Sequence, residues 1–460
     1  MSLIKSISGI RGTIGGVVNK NLTPIDTVKF AAAYGMWLKN HSNKESLTVI
    51  LGRDARISGK MVSSLVGNTL VGLGINVVDI GLSTTPTVEV AVQLDEADGG
   101  IIITASHNPK QWNALKLLNN KGEFLNAVDG DEVLKIAEND SYIFSEVDEL
   151  GKFRKKQNYI NKHIKEVLNL ELVDVEAIKK AKFKVVVDAV NSTGGITIPV
   201  LLKKLGVECV ELYCEPNGEF PHNPEPLKEH LTDISKLVVK EKADLGIVVD
   251  PDVDRLAIVN EDGSMFGEEY TLVACADYVL GKTKGNAVSN LSSSRALRDI
   301  TQKHGGNYEA SAVGEVNVVE LMKKNSAIIG GEGNGGIIYP ESHYGRDSLV
   351  GVALFLSHLA HLKVSCKQLR ESYPSYFMSK NKIELTPQIN VDEILNAIAL
   401  TYKNEDVITI DGVKINFETE WVHLRKSNTE PIIRIYTESA SQNGADKLAQ
   451  RFITEIKNII

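Results

Sequence analysis

Apolar and polar positions follow one recurring order along this chain: an apolar run, a glycine-bearing polar loop, an apolar-periodic stretch, a glycine and a second apolar run. Residues 47–51 predict a strand, 52–56 a polar loop and 58–73 a helix that Gly74 stops, with a returning strand at 75–80. A further helical stretch at 87–94 leads to the apolar run 99–104, which reads as a buried strand, and 113–118 reads as another. The order returns at 184–188, followed by Gly194 and Gly195, a helix to Leu205 and a strand at 207–212. It returns again at 286–291, with a helix over 295–304 and a strand from Tyr308. Intervals this long exclude a solenoid, so three related α/β units are expected.

The final part differs. A looser stretch at 371–381 precedes a strand at 383–385 and a helix at 391–402. A hairpin turning at Asp411 and Gly412, two more strands and a helix over 444–459 complete an α+β layout. The expected divisions are 1–150, 151–257, 258–370 and 371–460.

Composition adds limits more than detail. With 43% hydrophobic and 24% charged residues, the 460-residue chain can bury large cores. A formal charge of −8 argues against a nucleic-acid binder, which needs a basic face to neutralise phosphates. Cys209, Cys214, Cys275 and Cys366 match neither a zinc knuckle nor a CxxC pair, so reduced thiols are expected. No signal-peptide pattern opens the chain and no apolar run nears the roughly 18 residues that span a bilayer, so a cytoplasmic, membrane-free location is expected.

Candidate chemistry sits at the strand ends. Thr104-Ala-Ser-His-Asn-Pro109 delivers the hydroxyl of Ser106 from a buried strand onto a polar loop, with His107 beside it. Asp250, Asp252 and Asp254 follow another apolar strand; three close carboxylates repel, and a hard divalent cation is the natural compensation. Glu332 and Asn334 lie in the glycine-rich stretch 330–336, where backbone can approach a ligand and the side chains suit sugar hydroxyls. Arg425, Ser427, Asn428 and Thr429 form a loop suited to an anion such as phosphate, without the glycines of a Walker loop. Taken singly, Arg11 among its glycines reads as an N-terminal turn, and Lys116 amid apolar neighbours as an edge-strand gatekeeper.

Together these four loops resemble the α-D-phosphohexomutase superfamily of phosphoglucomutases, phosphomannomutases and phosphoglucosamine mutases, in order and from Arg11 to Arg434. The resemblance implies three α/β domains with mixed sheets and a C-terminal α+β domain of TATA-box-binding-protein-like type, around a central cleft. It implies that Ser106 is carried as phosphoserine, and that Ser106, Asp250, Asp252 and Asp254 hold Mg²⁺. Arg11, His107, Lys116 and Arg255 would surround the reacting phosphoryl, Glu332 and Asn334 select the sugar, and Arg425, Ser427, Asn428, Thr429 and Arg434 grip the other phosphate. The reaction implied interconverts hexose 6- and 1-phosphates through a hexose 1,6-bisphosphate, in a monomer or homodimer whose partner is a phosphosugar.

Three residues depart from the family pattern: Pro251 where glycine is usual, Asn334 where serine is frequent and Gly336 where histidine is frequent. The Thr-Ala-Ser-His loop is phosphoglucosamine-mutase-like, whereas Ser-Asn-Thr at 427–429 is phosphomannomutase/phosphoglucomutase-like. The leaning is to phosphoglucosamine mutase, with the other two as the alternative. Outside the resemblance stand an aspartyl-phosphate phosphatase, with Asp250 as nucleophile, and a non-catalytic sugar-phosphate sensor.

Overall fold

The computed structural model describes residues 2–6, 9–385, 389–426 and 432–459. The first sheet has seven strands in the order Ile4–Ser6, Gly9–Thr13, Trp112–Leu118, Gly99–Ile103, Thr48–Arg53, Asn76–Leu82 and Phe153–Lys155. The last four run parallel, and the pairings through Trp112–Leu118 and Gly9–Thr13 are antiparallel. Helices cover both faces, so strand Gly99–Ile103 is buried at all five positions and reads as continuous apolar sequence rather than alternating.

Two expectations about this sheet change. Lys116 is not on an edge: its strand lies between Gly9–Thr13 and Gly99–Ile103, and the residue is buried. Arg11 is not in a turn; it belongs to strand Gly9–Thr13 and pairs with Ala114. Gly9 explains the difference, because at φ +111° a Cβ there would strike the Leu115 carbonyl oxygen at 2.3 Å. The glycine serves close strand contact, not a bend.

The second sheet orders Leu256–Asn260, Leu245–Val249, Lys184–Asp188 and Glu208–Leu212, the first pair antiparallel and the rest parallel. The third orders Tyr308–Ser311, Asn286–Asn290, Ala327–Glu332 and Gly336–Ile338, closed by an antiparallel hairpin. Strands Phe153–Lys155 and Leu256–Asn260 extend the first and second sheets past residues 150 and 257. One apolar core runs through the second and third units, in which helix Ser348–Leu362 packs on Val175–Ala181 and Glu268–Lys282.

The C-terminal unit is a five-stranded antiparallel sheet, Phe377–Glu384, Ile432–Ser439, Trp421–Lys426, Val413–Asn416 and Asp406–Ile408. Helices Val391–Thr401 and Gln442–Ile459 share its core through Ile398, Leu448 and Phe452. Strand Phe377–Glu384 begins six residues before the expected start at 383, because its Ser, Lys and Asn positions carry little β propensity and long-range pairing with Ile432–Ser439 decides instead. No helix among the described residues is long and apolar enough to cross a membrane. The four cysteines are free, and burial pushes the Cys209, Cys214 and Cys275 thiols up to about 12.

Phe452 is fully buried between sheet and helices. Phe452→Ala should cost the C-terminal unit about 3–5 kcal/mol, read as faster hydrogen exchange across Trp421–Lys426 with the first three sheets unchanged. Unaltered exchange there would contradict this account of the core.

Candidate active site

Ser106 follows strand Gly99–Ile103 by three residues, and its backbone sits at φ +50°, an uncommon conformation for a residue with a side chain. The loop is held in that shape from beneath. Arg56, 1% exposed, donates from Nη2 to the carbonyls of Ser106 and Asn108 and from Nη1 to those of Pro109 (2.7 Å) and Trp112 (3.0 Å). Its Nε donates to Asp54 Oδ2 at 3.0 Å, and Thr104 Oγ1 donates to the same oxygen at 2.7 Å while accepting from the Ser106 amide at 3.0 Å. A strained loop of polar carbonyls is thus fixed by one planar cation with its own buried counter-ion.

The three aspartates follow strand Leu245–Val249 and are fully buried. Their turn is tight: the amides of Asp254 and Arg255 both donate to Asp250 Oδ1 at 3.2 Å, and Val253 adopts φ +64°. Pro251 removes no needed donor here; its carbonyl accepts from Ser192 Oγ (2.7 Å) and Thr193 Oγ1 (2.8 Å). Ser106 Oγ donates to Asp250 Oδ2 at 2.7 Å, so the serine loop and the aspartate loop meet across units.

Lys116 Nζ reaches Asp252 Oδ2 at 2.7 Å and Asp254 Oδ2 at 3.2 Å. Burial opposes its charge, but the two aspartates hold the ammonium above the usual lysine range. Arg346, which sequence reasoning did not single out, joins Asp254 Oδ2 (2.7 Å), Glu332 Oε2 (2.9 Å) and Glu315 Oε2 (3.0 Å). Burial would raise Asp254, yet Arg346, Lys116 and Arg255 keep it below the carboxylate range. Asp250 goes the other way, raised by burial and by Asp252 and Asp254.

His107 Nδ1 lies 3.3 Å from Ser106 Oγ and its Nε2 4.0 Å from Glu225 Oε1. Burial first, then Arg255, push it well below the imidazole range, so it is neutral at pH 7. Arg255 Nη1 is 3.4 Å from Glu225 Oε1, and Arg11 Nη1 is 3.5 Å from Asn108 Oδ1. Burial and Arg255 lower Arg11, which marks these cations as neighbours crowded toward one place.

Glu332 closes the third sheet's hairpin opposite Gly336, and its Oε1 accepts from Asn290 (2.8 Å) and the Gly314 amide (3.2 Å). Asn334 Oδ1 accepts from the Gly336 amide at 3.2 Å. A Cβ on Gly336 would meet Arg346 Cδ at 2.3 Å, so the glycine makes the room that the arginine fills. Arg425 and Arg434 face each other across an antiparallel pair, with Arg425 Nε 3.4 Å from Asp411 Oδ2. Among the described residues, no hydrogen bond or ion pair joins either arginine to Ser106 or to Asp250, Asp252 or Asp254. Ser427, Asn428 and Thr429 lie outside the described residues.

Arg56 and Arg346 were missed because the contacts that define their roles, Arg56 to the Ser106 carbonyl and Arg346 to Asp254, join residues distant in sequence. The available signal was an arginine adjacent to or two residues from an aspartate in a short polar segment, Asp54 with Arg56 and Arg346 with Asp347, which many surface loops also carry.

Four consecutive stretches match the family described as phosphoglucomutase/phosphomannomutase: alpha/beta/alpha domains I, II and III over residues 4–143, 158–263 and 267–376, and the C-terminal domain over 382–455. The chain is 35% identical to a Thermococcus kodakarensis phosphoglucomutase/phosphomannomutase, covering 94% of this chain and 95% of the relative. It is 32% identical to a Sulfurisphaera tokodaii phosphoglucosamine/phosphogalactosamine mutase, covering 98% of each. Among solved structures, a Burkholderia thailandensis phosphoglucomutase/phosphomannomutase family protein shares the fold, with TM-score 0.83 at 24% identity over 99% of this chain and 98% of that one.

Replacing Arg56 by methionine leaves Asp54 buried without its counter-charge and the loop carbonyls without donors. Arg56→Met should lose about 3–5 kcal/mol, measured as a lower unfolding midpoint of the first unit; a loss under about 1 kcal/mol would contradict the role assigned to the guanidinium.

Proposed function

The chain belongs to the phosphoglucomutase/phosphomannomutase family of the α-D-phosphohexomutase superfamily and is a phosphohexomutase, and from that premise we propose that Ser106 is its phosphoryl carrier. Phosphoserine 106 gives its phosphoryl group to a hexose 6- or 1-phosphate, the hexose 1,6-bisphosphate turns over, and the other phosphoryl returns to Ser106. The observation that carries this reading is the Ser106 hydroxyl held 2.7 Å from Asp250 on an arginine-fixed loop, among Arg11, Lys116 and Arg255. Phosphoryl transfer needs position and charge neutralisation more than covalent chemistry from the protein.

Asp250, Asp252 and Asp254 fit a divalent cation. Their ligand oxygens lie within 4.8 Å of one another, and Asp252 Oδ1 and Asp254 Oδ1 are buried without a hydrogen-bond partner. With a phosphoserine oxygen they would hold Mg²⁺, which when bound offsets charge on the transferring group. Lys116, Arg255 and Arg11 contribute the fixed positive charge of the chain itself. In the first half-reaction the bond from phosphorus to Ser106 Oγ breaks as the bond to the sugar oxygen forms; in the second the other phosphorus–sugar oxygen bond breaks as the bond to Ser106 Oγ forms. In the first, neutral His107 accepts the sugar hydroxyl proton and passes it to Ser106 Oγ, 3.3 Å from its Nδ1; in the second it takes the proton from Ser106 Oγ and gives it to the sugar oxygen. Lys116, held as an ammonium, is a charge rather than a base.

The phosphate that is not transferred is gripped by Arg425 and Arg434, whose like charges face each other across a strand pair and invite an anion between them. Ser427, Asn428 and Thr429 would complete that grip. Glu332 and Asn334 contact the sugar. Glu315 and Glu332 both pair with Arg346, and the Glu332 carboxylate at this loop suits the ammonium of an amino sugar. Glucosamine phosphate is therefore the preferred substrate, in line with the relative named phosphoglucosamine/phosphogalactosamine mutase. The phosphoglucomutase/phosphomannomutase relative keeps glucose and mannose phosphates as the alternative.

With Mg²⁺ and bisphosphate primer, kcat/KM measured on the 1- and 6-phosphates of glucosamine, glucose, mannose and N-acetylglucosamine should be highest for glucosamine. A neutral hexose as best substrate would refute the amino-sugar preference, and turnover of none would refute the phosphoserine cycle. Ser106→Ala should lower kcat about a thousand-fold or more with the fold intact. Arg434→Ala should raise KM about 10- to 100-fold, the worth of a charged hydrogen bond, with kcat nearly unchanged; an unchanged KM would remove Arg434 from the phosphate grip.

A further inference from the structure

Behind the aspartate loop, the first three units meet on a second buried cluster. Helix Tyr159–Asn169 supplies His163, and the segment between strand Gly336–Ile338 and helix Ser348–Leu362 supplies His343 and Asp347. The three are 0%, 3% and 1% exposed. His163 Nε2 lies 2.8 Å and His343 Nε2 3.2 Å from the same oxygen, Asp347 Oδ2. The rings stand nearly perpendicular, at 77°, so two imidazoles aim the same nitrogen at one point from different directions. Asp347 Oδ1 is engaged elsewhere, accepting from Leu349 N (2.8 Å) and Val350 N (3.4 Å) at the start of the long helix.

The far side of each ring is also matched to an oxygen. His163 Nδ1 lies 2.9 Å from Thr87 Oγ1, and His343 Nδ1 lies 3.3 Å from Glu89 Oε2, both on helix Thr85–Leu94 of the first unit. Glu89 is 1% exposed, and neither of its carboxylate oxygens, nor His343 Nδ1, has a hydrogen-bond partner that meets ordinary geometry. A buried carboxylate in that condition is costly unless a charge or proton answers it.

We propose that His163, His343 and Asp347 form a transition-metal site of the Zn²⁺ class that ties the first three units together. The ligand atoms Nε2, Nε2 and Oδ2 lie within 4.8 Å of one another, compact enough for one ion. Two imidazoles and a carboxylate select a borderline cation such as Zn²⁺, whereas the all-oxygen set at Asp250, Asp252 and Asp254 suits a hard one. Metal-bound histidines hand their other N–H to a carboxylate or hydroxyl, and Glu89 and Thr87 stand at those two positions. With a cation at the centre, both Nε2 lone pairs and Asp347 Oδ2 face the ion, and the Nδ1 atoms lie 2.9 Å from Thr87 Oγ1 and 3.3 Å from Glu89 Oε2. The site also borders the catalytic region, since Asp347 follows Arg346 and the Ser348 amide donates to the Val253 carbonyl at 3.2 Å. Its metal is structural, holding the segment that carries Arg346.

Element analysis of the full-length protein, grown with Zn²⁺ and dialysed against EDTA, tests this. The expected result is about one equivalent of Zn²⁺ per chain, kept when Asp250→Asn and Asp252→Asn are combined and lost in His343→Gln. Growth with Co²⁺ should give the visible absorption of tetrahedral Co²⁺, also kept in the double aspartate variant. Glu89→Gln should weaken retention about 10- to 100-fold. Should His343→Gln fail to fold, retention in wild type and in the double aspartate variant decides. A natively folded wild type holding no transition metal after either growth, or one that loses it with Asp250 and Asp252 rather than with His343, overturns the proposal.

Discussion

Charge balance among buried carboxylates is the constraint on which this structure depends. Asp252 and Asp254 lie on the second unit, Lys116 on the first, and Arg346, Glu315 and Glu332 on the third, all within one set of ion pairs. Removing either partner of one of these pairs while the other stays buried would leave a desolvated charge unpaired, at a cost of about 3–5 kcal/mol. The same pairs bring the serine, aspartate and glycine-rich loops to one place. Domain cohesion and site assembly are therefore a single electrostatic problem.

That view gives Gly336 a physical reason. The resemblance leads to an expectation of histidine there, but a Cβ at this position would already meet Arg346 Cδ at 2.3 Å. The positive group is supplied from another segment and tied to Asp254 as well as Glu332, so the glycine-rich loop and the aspartate loop share one guanidinium. Pro251 is absorbed with similar economy, since its carbonyl, not its missing N–H, carries the contacts to Ser192 and Thr193.

Much of the fold and the main loops was legible in the sequence because local pattern decides them. The apolar runs before Ser106 and Asp250 are fully buried strands, and such runs can be read from a few residues. Residues whose setting depends on distant pairing were not legible. Arg11 and Lys116 look like a turn residue and an edge lysine until the antiparallel pairing of Gly9–Thr13 with Trp112–Leu118 makes both interior to one sheet. Arg56 and Arg346 act on partners up to 92 positions away, and their own neighbourhoods carry no periodic signal. Strand Phe377–Glu384 was half seen for the same reason: its sequence is polar and its partner strand supplies the order.

The central claim is that Ser106 carries the phosphoryl group and Asp250 does not. Intact-mass and peptide mass spectrometry on protein primed with hexose 1,6-bisphosphate tests it directly, before and after hydroxylamine and after addition of a hexose phosphate. The account predicts one acid-stable phosphoryl group on the peptide bearing Ser106, resistant to hydroxylamine and exchanged by substrate. A hydroxylamine-labile phosphate on the peptide bearing Asp250, or no phosphate on Ser106, would contradict it.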